Sequence, residues 1–253
     1  MRALYLLFGD PVAHSRSPAI HTRAFQLLGV DAVYAPCRVT DVPAAVQALR
    51  VLGVAGANVT VPHKQEVIPS LDRLDDAARR IGAVNCIVNR DRVLTGHNTD
   101  REGLLRALGK FSGHAVVLGA GGSARAAVDA LAPQVTVVNR TRSRAEQLAR
   151  EMGARAGTLD AVARADLVVN CTTVGMSGED VPVDPSLLRG IVVDLAYSAR
   201  GETALVRAAR ARGLKAVDGI EVLVHQAIAS LELWLGRPNL GELAPELRKA
   251  ALA

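Results

Sequence analysis

The feature that most constrains the fold is residues 115–126, AVVLGAGGSARA, where an apolar run stops at glycines and a helical pattern begins. This order predicts a strand, a tight turn and a helix. The spacing Gly119-x-Gly121-x-x-Ala124 fits a turn that binds dinucleotide phosphates, because it leaves no side chain beside the pyrophosphate. Backbone N–H groups at the start of the helix would face those phosphates. A glycine-rich turn that binds no nucleotide is the alternative.

The next apolar run ends at Asn139, about 20 residues after Gly119, where a dinucleotide site places the residue that contacts the adenosine ribose. An Asp or Glu there would accept hydrogen bonds from the 2′-hydroxyl of NAD and would repel a 2′-phosphate. This chain has asparagine followed by Arg140, Arg142 and Arg144, and guanidinium groups bind phosphate through charge-assisted hydrogen bonds. The pattern favours NADP, although a solvated basic helix start is the alternative for at least one arginine.

Length, charge and cysteine usage bound the classes of function. The 253 residues suit one large domain or two small ones. The net charge is +5, but the basic residues are scattered and do not alternate with aromatic ones, so we expect no nucleic-acid partner. Cys37, Cys86 and Cys171 lack zinc or disulfide spacing, which predicts reduced core residues and no metal site. The apolar residues 4–8 are too short to span a membrane and precede no cleavage site, so we expect a cytoplasmic protein.

Apolar runs and helical patterns alternate along the chain, which predicts an α/β fold with mainly parallel sheets. The expected strands are residues 4–8, 33–39, 57–61, 86–89, 92–95, 115–118, 135–138, 166–171, 191–196 and 215–217. The expected helices are residues 18–28, 43–52, 75–81, 102–108, one from about 122, 203–212, 220–235 and 245–253.

Two serines, Ser15 and Ser17, lie in the polar loop between the first strand and the first helix. Ser17 is predicted to be the N-cap, with Pro18 at the first helical position. Ligands in α/β sheets usually bind at the carboxyl ends of strands, and two hydroxyls there suit a polyol or a carboxylate. The alternative is that Ser17 only caps the helix and Ser15 is solvated.

A second polar cluster follows the third predicted strand and should reach the same sheet edge as the serine loop. It contains Asn58, Thr60 and Lys64. Most lysines are surface charges, which is the alternative for Lys64, but its place just past a strand end favours a site. Asp100 is either a helix cap or a carboxylate partner of Lys64. His63 lacks the spacing of a metal ligand, and we expect it to be structural or exposed.

Six motifs, taken together, resemble the shikimate dehydrogenase family, which also includes quinate-using relatives. They occur in the order and spacing of that family along nearly the whole chain. The motifs are Gly9-x-Pro11-x-x-His14-Ser15-x-Ser17-Pro18, Asn58-Val59-Thr60-x-Pro62-x-Lys64, Gly82-Ala83-Val84-Asn85, Asn98-Thr99-Asp100, Gly119-x-Gly121-Gly122-x-Ala124-Arg125 and Val224-His225-Gln226-Ala227.

The resemblance implies an N-terminal, mainly parallel α/β substrate domain plus a Rossmann-type dinucleotide-binding domain, with the active-site cleft between them. The substrate-binding and catalytic domain would comprise residues 1–100, completed by C-terminal helices at 220–253, and the NADP-binding domain residues 101–219. The implied activity is NADP-dependent, reversible reduction of 3-dehydroshikimate to shikimate in chorismate and aromatic amino-acid biosynthesis. The implied partners are these small molecules alone, and we expect a monomer or a homodimer.

The resemblance also implies roles for individual residues. Lys64, with Asp100, would be catalytic, and Ser15 and Ser17 would hold the substrate carboxylate. The residues at the ring hydroxyls would be Thr60, Asn85, Asp100 and Gln226, with Tyr197 at the edge of the substrate. The phosphate and ribose residues would be Gly119, Ala120, Gly121, Gly122, Ser123, Asn139, Arg140, Thr141, Arg142 and Arg144. Met176, Leu195 and Gly219 would lie along the nicotinamide.

One segment departs from the family pattern. Residues 198–203 follow Tyr197 where a proline is more usual, which leaves the path of that loop open. Three other functions are compatible with parts of this pattern. A quinate/shikimate dehydrogenase of broader specificity would share the motifs, whereas a non-catalytic NADP-sensing module would not need Lys64 and Asp100. An S-adenosylmethionine methyltransferase ordinarily has an acidic residue near the position of Asn139.

Overall fold

A computed structural model describes residues 2–198 and 201–253. The chain divides into two compact units: unit 1 is Met1–Gly103 with Val224–Ala253, and unit 2 is Leu104–Leu223. Ala199 and Arg200, in the loop whose path the sequence left open, lie outside the described residues. Among the described residues, no helix has the length and apolar character needed to cross a membrane.

The described elements alternate along the chain as predicted. The strands are β1 (Ala3–Gly9), β2 (Ala32–Arg38), β3 (Gly56–Val59), β4 (Arg73–Leu74), β5 (Cys86–Arg90), β6 (Val93–His97), β7 (Ala115–Leu118), β8 (Val135–Val138), β9 (Arg155–Ala156), β10 (Leu167–Asn170), β11 (Ile191–Asp194) and β12 (Ala216–Val217). The helices are α1 (Ser17–Leu28), α2 (Val42–Val51), α3 (Asp76–Ile81), α4 (Thr99–Leu108), α5 (Gly122–Leu131), α6 (Arg142–Met152), α7 (Ala204–Ala211), α8 (Gly219–Leu235) and α9 (Ala244–Leu252).

The differences from the predicted elements have local causes. β4 and β9 were not predicted, because two residues are too few to show a periodic pattern. β3 ends at Val59 rather than at residue 61, and the chain turns at Pro62, which has no N–H to continue the ladder. Thr203 is the N-cap of α7 rather than its first residue, since its side chain accepts from Val206 N.

Unit 1 is built on a six-stranded sheet with the order β2-β1-β3-β5-β6-β4. β2, β1 and β3 run parallel, and β5 is antiparallel to both β3 and β6. On the sheet, Trp234 of α8 donates from Nε1 to Ile87 O at 3.0 Å. Gly56 makes room for this contact, because a Cβ there would lie 2.4 Å from the Trp234 Nε1 atom. The helix therefore rests against bare backbone at this point.

Unit 2 is built on a fully parallel six-stranded sheet with the order β12-β11-β10-β7-β8-β9. Its central strands are buried along their whole length, as expected for a parallel sheet covered on both faces. The direction of strand succession reverses between β7 and β10, and ligands of such sheets bind at the carboxyl ends of the strands beside that reversal.

The prediction that the three cysteines are core residues holds in full for Cys86, whereas Cys37 and Cys171 pack against the margins of the cores of units 1 and 2. Cys86 is buried, whereas Cys37 and Cys171 are partly exposed. Cys37 lies on β2, at an edge of its sheet, and Cys171 directly follows β10. None of the three forms a disulfide.

Candidate functional site

Lys64 and Asp100 form a buried ion pair in unit 1. Lys64 Nζ donates to Asp100 Oδ2 at 2.5 Å, and the two side chains are 11% and 16% exposed. Asp100 lies in the first turn of α4, where the helix dipole favours a carboxylate. Asp100 does not cap that helix, because Asn98 Oδ1 accepts from Arg101 N at 3.2 Å. Of the alternatives that the sequence left open, the structure has the paired carboxylate.

Asn85 fixes the other oxygen of the Asp100 carboxylate. Its Nδ2 donates to Asp100 Oδ1 at 2.8 Å and to Gln226 Oε1 at 2.9 Å. Its Oδ1 accepts from Thr99 N at 2.6 Å, which sets the orientation of the amide. Thr99 Oγ1 lies 3.0 Å from the same Nδ2, so its two protons face three acceptors. Asn85 thus brings Asp100 and Gln226, from α4 and α8, to one point in unit 1.

A second layer of buried polar groups lies behind Asn85. Asn58 Nδ2 donates to Asn85 O at 3.0 Å and to Ser230 Oγ at 3.1 Å, while Asn58 Oδ1 accepts from Tyr34 Oη at 2.9 Å. Ser230 in turn donates to Gln226 O at 3.1 Å. A buried hydrogen-bond network of this kind holds its members in one arrangement. Sequence reasoning missed Tyr34 and Ser230, since no local spacing announces contacts between residues so distant along the chain.

The serine loop and Thr60 lie at the ends of neighbouring strands of unit 1. Thr60 N donates to Phe8 O at 2.8 Å, which joins the end of β3 to the end of β1. The prediction that Ser17 is the N-cap is wrong: Ser17 is the first residue of α1, and Ser15 Oγ accepts from Ser17 N at 3.2 Å. The cap position belongs to Arg16, whose side chain makes no capping bond. Among the described residues, the hydroxyls of Ser17 and Thr60 have no hydrogen-bond partner.

His63 takes part in structure rather than in this cluster. It is buried, and its ring nitrogens lie 2.8 Å from Val39 O and 2.8 Å from Glu66 Oε2. Within residues 2–198 and 201–253, no group of three His, Cys, Asp or Glu side chains is placed to hold a metal ion.

Unit 2 contains a cavity of about 730 Å³ at the carboxyl ends of β7, β8 and β10. Gly119 and Ala120 line it after β7, and Asn139, Arg140 and Arg142 line it after β8. The cavity also has walls that sequence reasoning missed, formed by residues of two distant loops without a motif: Gly157, Thr158, Leu159, Val181 and Pro182.

The glycine turn fits a phosphate ligand. Gly119 has φ +116°, in the region that favours glycine, and its neighbour across the turn is Cys171 O. Gly121 faces open space, because a Cβ there would meet nothing within 4 Å. α5 begins at the next residue, Gly122, followed by Ser123, so the N–H groups of its first turn are available at this opening.

The basic loop follows β8 and runs into α6. Asn139 Nδ2 donates to Thr141 O at 2.9 Å, which folds the loop back on itself. Arg140 is exposed at the cavity wall, and Arg142 pairs with Glu146 at 2.9 Å while its side chain stays 82% exposed. Arg144 is exposed in the same helical turn, outside the residues that line the cavity.

The remaining predicted residues lie in other loops of unit 2. Met176 follows β10, Leu195 and Tyr197 follow β11, and Gly219 begins α8. Met176, Leu195 and Gly219 are not among the described residues that line the 730 Å³ cavity. A Cβ at Gly219 would lie 2.8 Å from Leu195 O, so these two residues are in contact.

These features define the class of the protein. A parallel sheet with a reversal of strand order, a bare glycine turn at that reversal and a basic loop after the next strand make unit 2 a Rossmann-type dinucleotide-binding fold. Unit 1 adds a buried lysine–carboxylate pair among amide and hydroxyl groups. The class is therefore an α/β protein that combines a dinucleotide unit with a polar site suited to proton transfer.

Comparisons with known proteins specify the family. Residues 7–87 match the family model of the shikimate dehydrogenase substrate binding domain, and residues 105–176 match that of shikimate / quinate 5-dehydrogenase. Shikimate dehydrogenase (NADP(+)) of Moorella thermoacetica is 42% identical over 92% of this chain and 88% of that protein. This chain belongs to the shikimate dehydrogenase family, which confirms the resemblance carried by its six motifs.

Further relatives agree over the full length. Shikimate dehydrogenase (NADP(+)) of Symbiobacterium thermophilum is 42% identical over 98% of this chain and 92% of that protein. The structure is similar to shikimate 5-dehydrogenase from Thermus thermophilus, crystallised in complex with NADP(H) and shikimate. That pair superposes with a TM-score of 0.91 at 36% identity, over 98% of each chain.

Proposed function

We propose that this chain catalyses the reversible, NADP-dependent reduction of 3-dehydroshikimate to shikimate, a step of chorismate and aromatic amino-acid biosynthesis. The observation that carries the proposal is the buried Lys64–Asp100 pair, held by Asn85 beside Gln226. Names of the relatives support the substrate and the cofactor, because they are shikimate dehydrogenases that use NADP(+).

The substrate would bind to unit 1 through its carboxylate and its hydroxyls. Ser15 and Ser17, at the start of α1, are assigned to the carboxylate, since a helix N-terminus favours a negative charge. The ring hydroxyls are assigned, on the family resemblance, to Thr60, Asn85, Asp100 and Gln226. In support, no described residue accepts from Gln226 Nε2. Tyr197 is assigned to the edge of the substrate on the family resemblance alone.

Proton transfer is assigned to Lys64. Bound NADPH supplies the hydride to C3 of 3-dehydroshikimate, and NADP accepts it in the reverse direction. The Lys64 ammonium would donate a hydrogen bond to the C3 oxygen, stabilise the negative charge that develops there and then deliver its proton. Asp100 is held from both sides, by Lys64 Nζ and by Asn85 Nδ2, and so keeps Nζ in place. In the reverse reaction neutral Lys64 accepts the proton.

The cofactor is assigned to unit 2. Its pyrophosphate would lie on the bare backbone of Gly119, Ala120 and Gly121 at the N-terminus of α5, where Gly122 and Ser123 begin the helix. The 2′-phosphate is assigned to the basic loop: Asn139, Arg140, Thr141, Arg142 and Arg144. The nicotinamide is assigned to Met176, Leu195 and Gly219. In this proposal residues 1–100 with 220–253 are the substrate domain and residues 101–219 the NADP domain.

We further propose that the chain works on small molecules alone, as a monomer or a homodimer. In support, several of its arginines, most of them exposed, are neutralised by acidic neighbours, which weakens any extended basic surface for nucleic acid. The pairs are Arg125 with Glu151, Arg142 with Glu146, Arg207 with Glu179 and Arg210 with Glu202.

The test is NADPH oxidation by the purified chain with 3-dehydroshikimate, followed by NADP reduction with shikimate and with quinate as separate substrates. We expect turnover in both directions with the shikimate pair. Equal or faster turnover of quinate would instead identify the broader-specificity enzyme. Tight NADP binding with no turnover of any of these substrates would identify a sensing module.

A further inference from the structure

A second buried polar cluster lies in unit 2, and the proposed function does not use it. Asp194 ends β11 and Asn170 ends β10, and each is 0% exposed. Asn170 Nδ2 donates to Asp194 Oδ1 at 2.8 Å. The side chains thus join two neighbouring parallel strands at their carboxyl ends, just before each strand enters its loop.

Asp194 holds both ends of the segment between β11 and α7. At the near end, Asp194 Oδ1 accepts from Ala196 N at 3.0 Å. At the far end, Asp194 Oδ2 accepts from Thr203 Oγ1 at 2.6 Å, and Thr203 is 3% exposed. Because one carboxylate accepts from both, the positions of the two ends are fixed relative to the strand.

Asn170 holds the loop after β10 in the same way. Its Oδ1 accepts from Thr172 N at 3.0 Å and from Thr172 Oγ1 at 2.7 Å, and its Nδ2 also donates to Val174 O at 3.3 Å. Thr172 and Val174 line the 730 Å³ cavity. The Asn170–Asp194 pair therefore connects a wall of that cavity to the segment after β11.

A buried carboxylate is a costly way to join two strands. Burial raises the pKa of Asp194, although Thr203, Asn170 and Ala196 all donate to it. Well-packed apolar side chains often stabilise a core equally well or better, so a stability requirement alone does not explain this residue. What the carboxylate provides is three fixed hydrogen bonds to two loops.

The position of the pair on the sheet indicates what these loops hold. A dinucleotide lies across the carboxyl edge of such a sheet, with one mononucleotide on each side of the reversal in strand order. Here the basic loop with Arg140 follows β8 and marks the adenosine side, so the nicotinamide side is that of β10 and β11. We infer that Asp194 is a positioning residue for the nicotinamide half of the cofactor. This inference rests on the proposed NADP site.

The experiment compares a whole cofactor with half of one. Asp194→Asn keeps the shape of the side chain but replaces one carboxylate oxygen by an NH₂ group. One acceptor oxygen then remains for the donors that bind both oxygens of Asp194 in the wild type. We expect NADPH affinity and kcat each to fall on the order of tenfold, and the primary isotope effect with 4-deuterated NADPH to rise, because a misplaced nicotinamide slows hydride transfer. Affinity for 2′,5′-ADP, which contains only the adenosine half, should stay unchanged. Asp184→Asn is the matched control, since Asp184 is an exposed cap in the same unit, and it should change none of these values.

Thr203 supplies a second, milder pair of variants. Thr203→Val removes the donor to Asp194 Oδ2 and should reproduce the loss, whereas Thr203→Ser keeps the hydroxyl and should restore wild-type values. If Asp194→Asn does not fold, this pair decides. An equal loss of 2′,5′-ADP and NADPH affinity, or unchanged NADPH affinity and isotope effect in folded variants, would overturn the inference. Failure of the wild-type chain to bind 2′,5′-ADP would overturn the proposed cofactor site, and the inference with it.

Discussion

The two candidate sites are built from different parts of the polypeptide. In unit 1 the groups that would contact a ligand are the side chains of Lys64 and Asn85, which are buried, and of Asp100, which is partly buried, and they are hydrogen-bonded to one another. In unit 2 they are mainly bare backbone at Gly119 and Gly121 and exposed arginines. The difference fits the tasks proposed for the two sites. Proton transfer needs groups held in fixed positions away from bulk water, whereas phosphate binding needs only accessible backbone N–H groups and long cationic side chains.

This comparison predicts that substitutions in unit 1 change the rate and that those in unit 2 change cofactor affinity. The largest expected effect is at Lys64. Lys64→Ala should lower kcat about 10²- to 10⁴-fold with a smaller change in KM, because it removes the proton donor. Lys64→Arg should not restore the rate, since a guanidinium stays charged and does not release a proton near neutral pH. Steady-state kinetics, with the fold checked by circular dichroism, measure both; near wild-type kcat in Lys64→Ala would contradict the assignment.

The next effect should appear in binding alone. Arg140→Ala should raise the KM for NADP about 10- to 150-fold and leave kcat and the KM for NAD nearly unchanged, because it removes a charge-assisted contact to the 2′-phosphate. Arg150→Ala is the matched control, because Arg150 is an exposed arginine on α6, the helix that follows the basic loop, and does not line the cavity. Equal losses for NADP and NAD would show that Arg140 does not contact the 2′-phosphate.

Substitutions at Gly121 and Gly119 distinguish the loss of space for a ligand from strain in the backbone. Gly121 has φ −94°, which any residue adopts, so Gly121→Ala should leave the melting temperature nearly unchanged. It should raise the KM for NADP about tenfold, because the new methyl group occupies the proposed place of the pyrophosphate. Gly119→Ala should also lower the melting temperature, since Gly119 has φ +116°. Unchanged NADP binding in Gly121→Ala would place the phosphates elsewhere.

The smallest expected effect is on stability, whose pH dependence should have opposite signs for one buried group in each unit. Burial lowers the pKa of His21 in unit 1 to about 3, so the folded chain keeps this ring neutral where the unfolded chain protonates it. The contribution of neutral His21 to the free energy of unfolding is complete above pH 6.5. It is lost as the pH falls from there toward 3, by at most about 1.4 kcal/mol per pH unit. Buried Asp194 in unit 2 has a raised pKa and the opposite sign: its contribution falls as pH rises above the ordinary value of an aspartate.

Urea unfolding of wild type and His21→Phe at pH 7 and pH 5 measures the first of these effects. Between pH 7 and pH 5 the free energy of unfolding of the wild type should fall by about 2 kcal/mol more than that of His21→Phe. The reason is that the effect of His21 acts over the 1.5 pH units between 6.5 and 5. An unchanged acid slope in His21→Phe would contradict the prediction.

Local patterns predicted most of the fold and part of the site. The run around Gly119 defined strand, turn and helix within a dozen residues, and the place of Lys64 after a strand offered its pairing with Asp100. What the sequence missed depends on contacts between distant residues. Ser230 and Asn58 lie 172 positions apart, and Asp194 at a strand end looks like an ordinary turn residue until Asn170 is beside it. The N-cap was misplaced because Pro18 is as compatible with the second helical position as with the first.

The contact between Gly56 and Trp234 determines how closely α8 approaches the sheet of unit 1. Trp234, Ser230 and Gln226 follow one another at intervals of four residues, about 6 Å of helix each. At one end the indole rests on the backbone of residue 56, where a single methyl group would collide with it. About 12 Å along the axis, Gln226 meets Asn85 at 2.9 Å. The absence of a side chain at Gly56 therefore fixes the position of α8 on the sheet. A larger residue at position 56, far from any ligand, would displace the helix and with it Gln226 in the site.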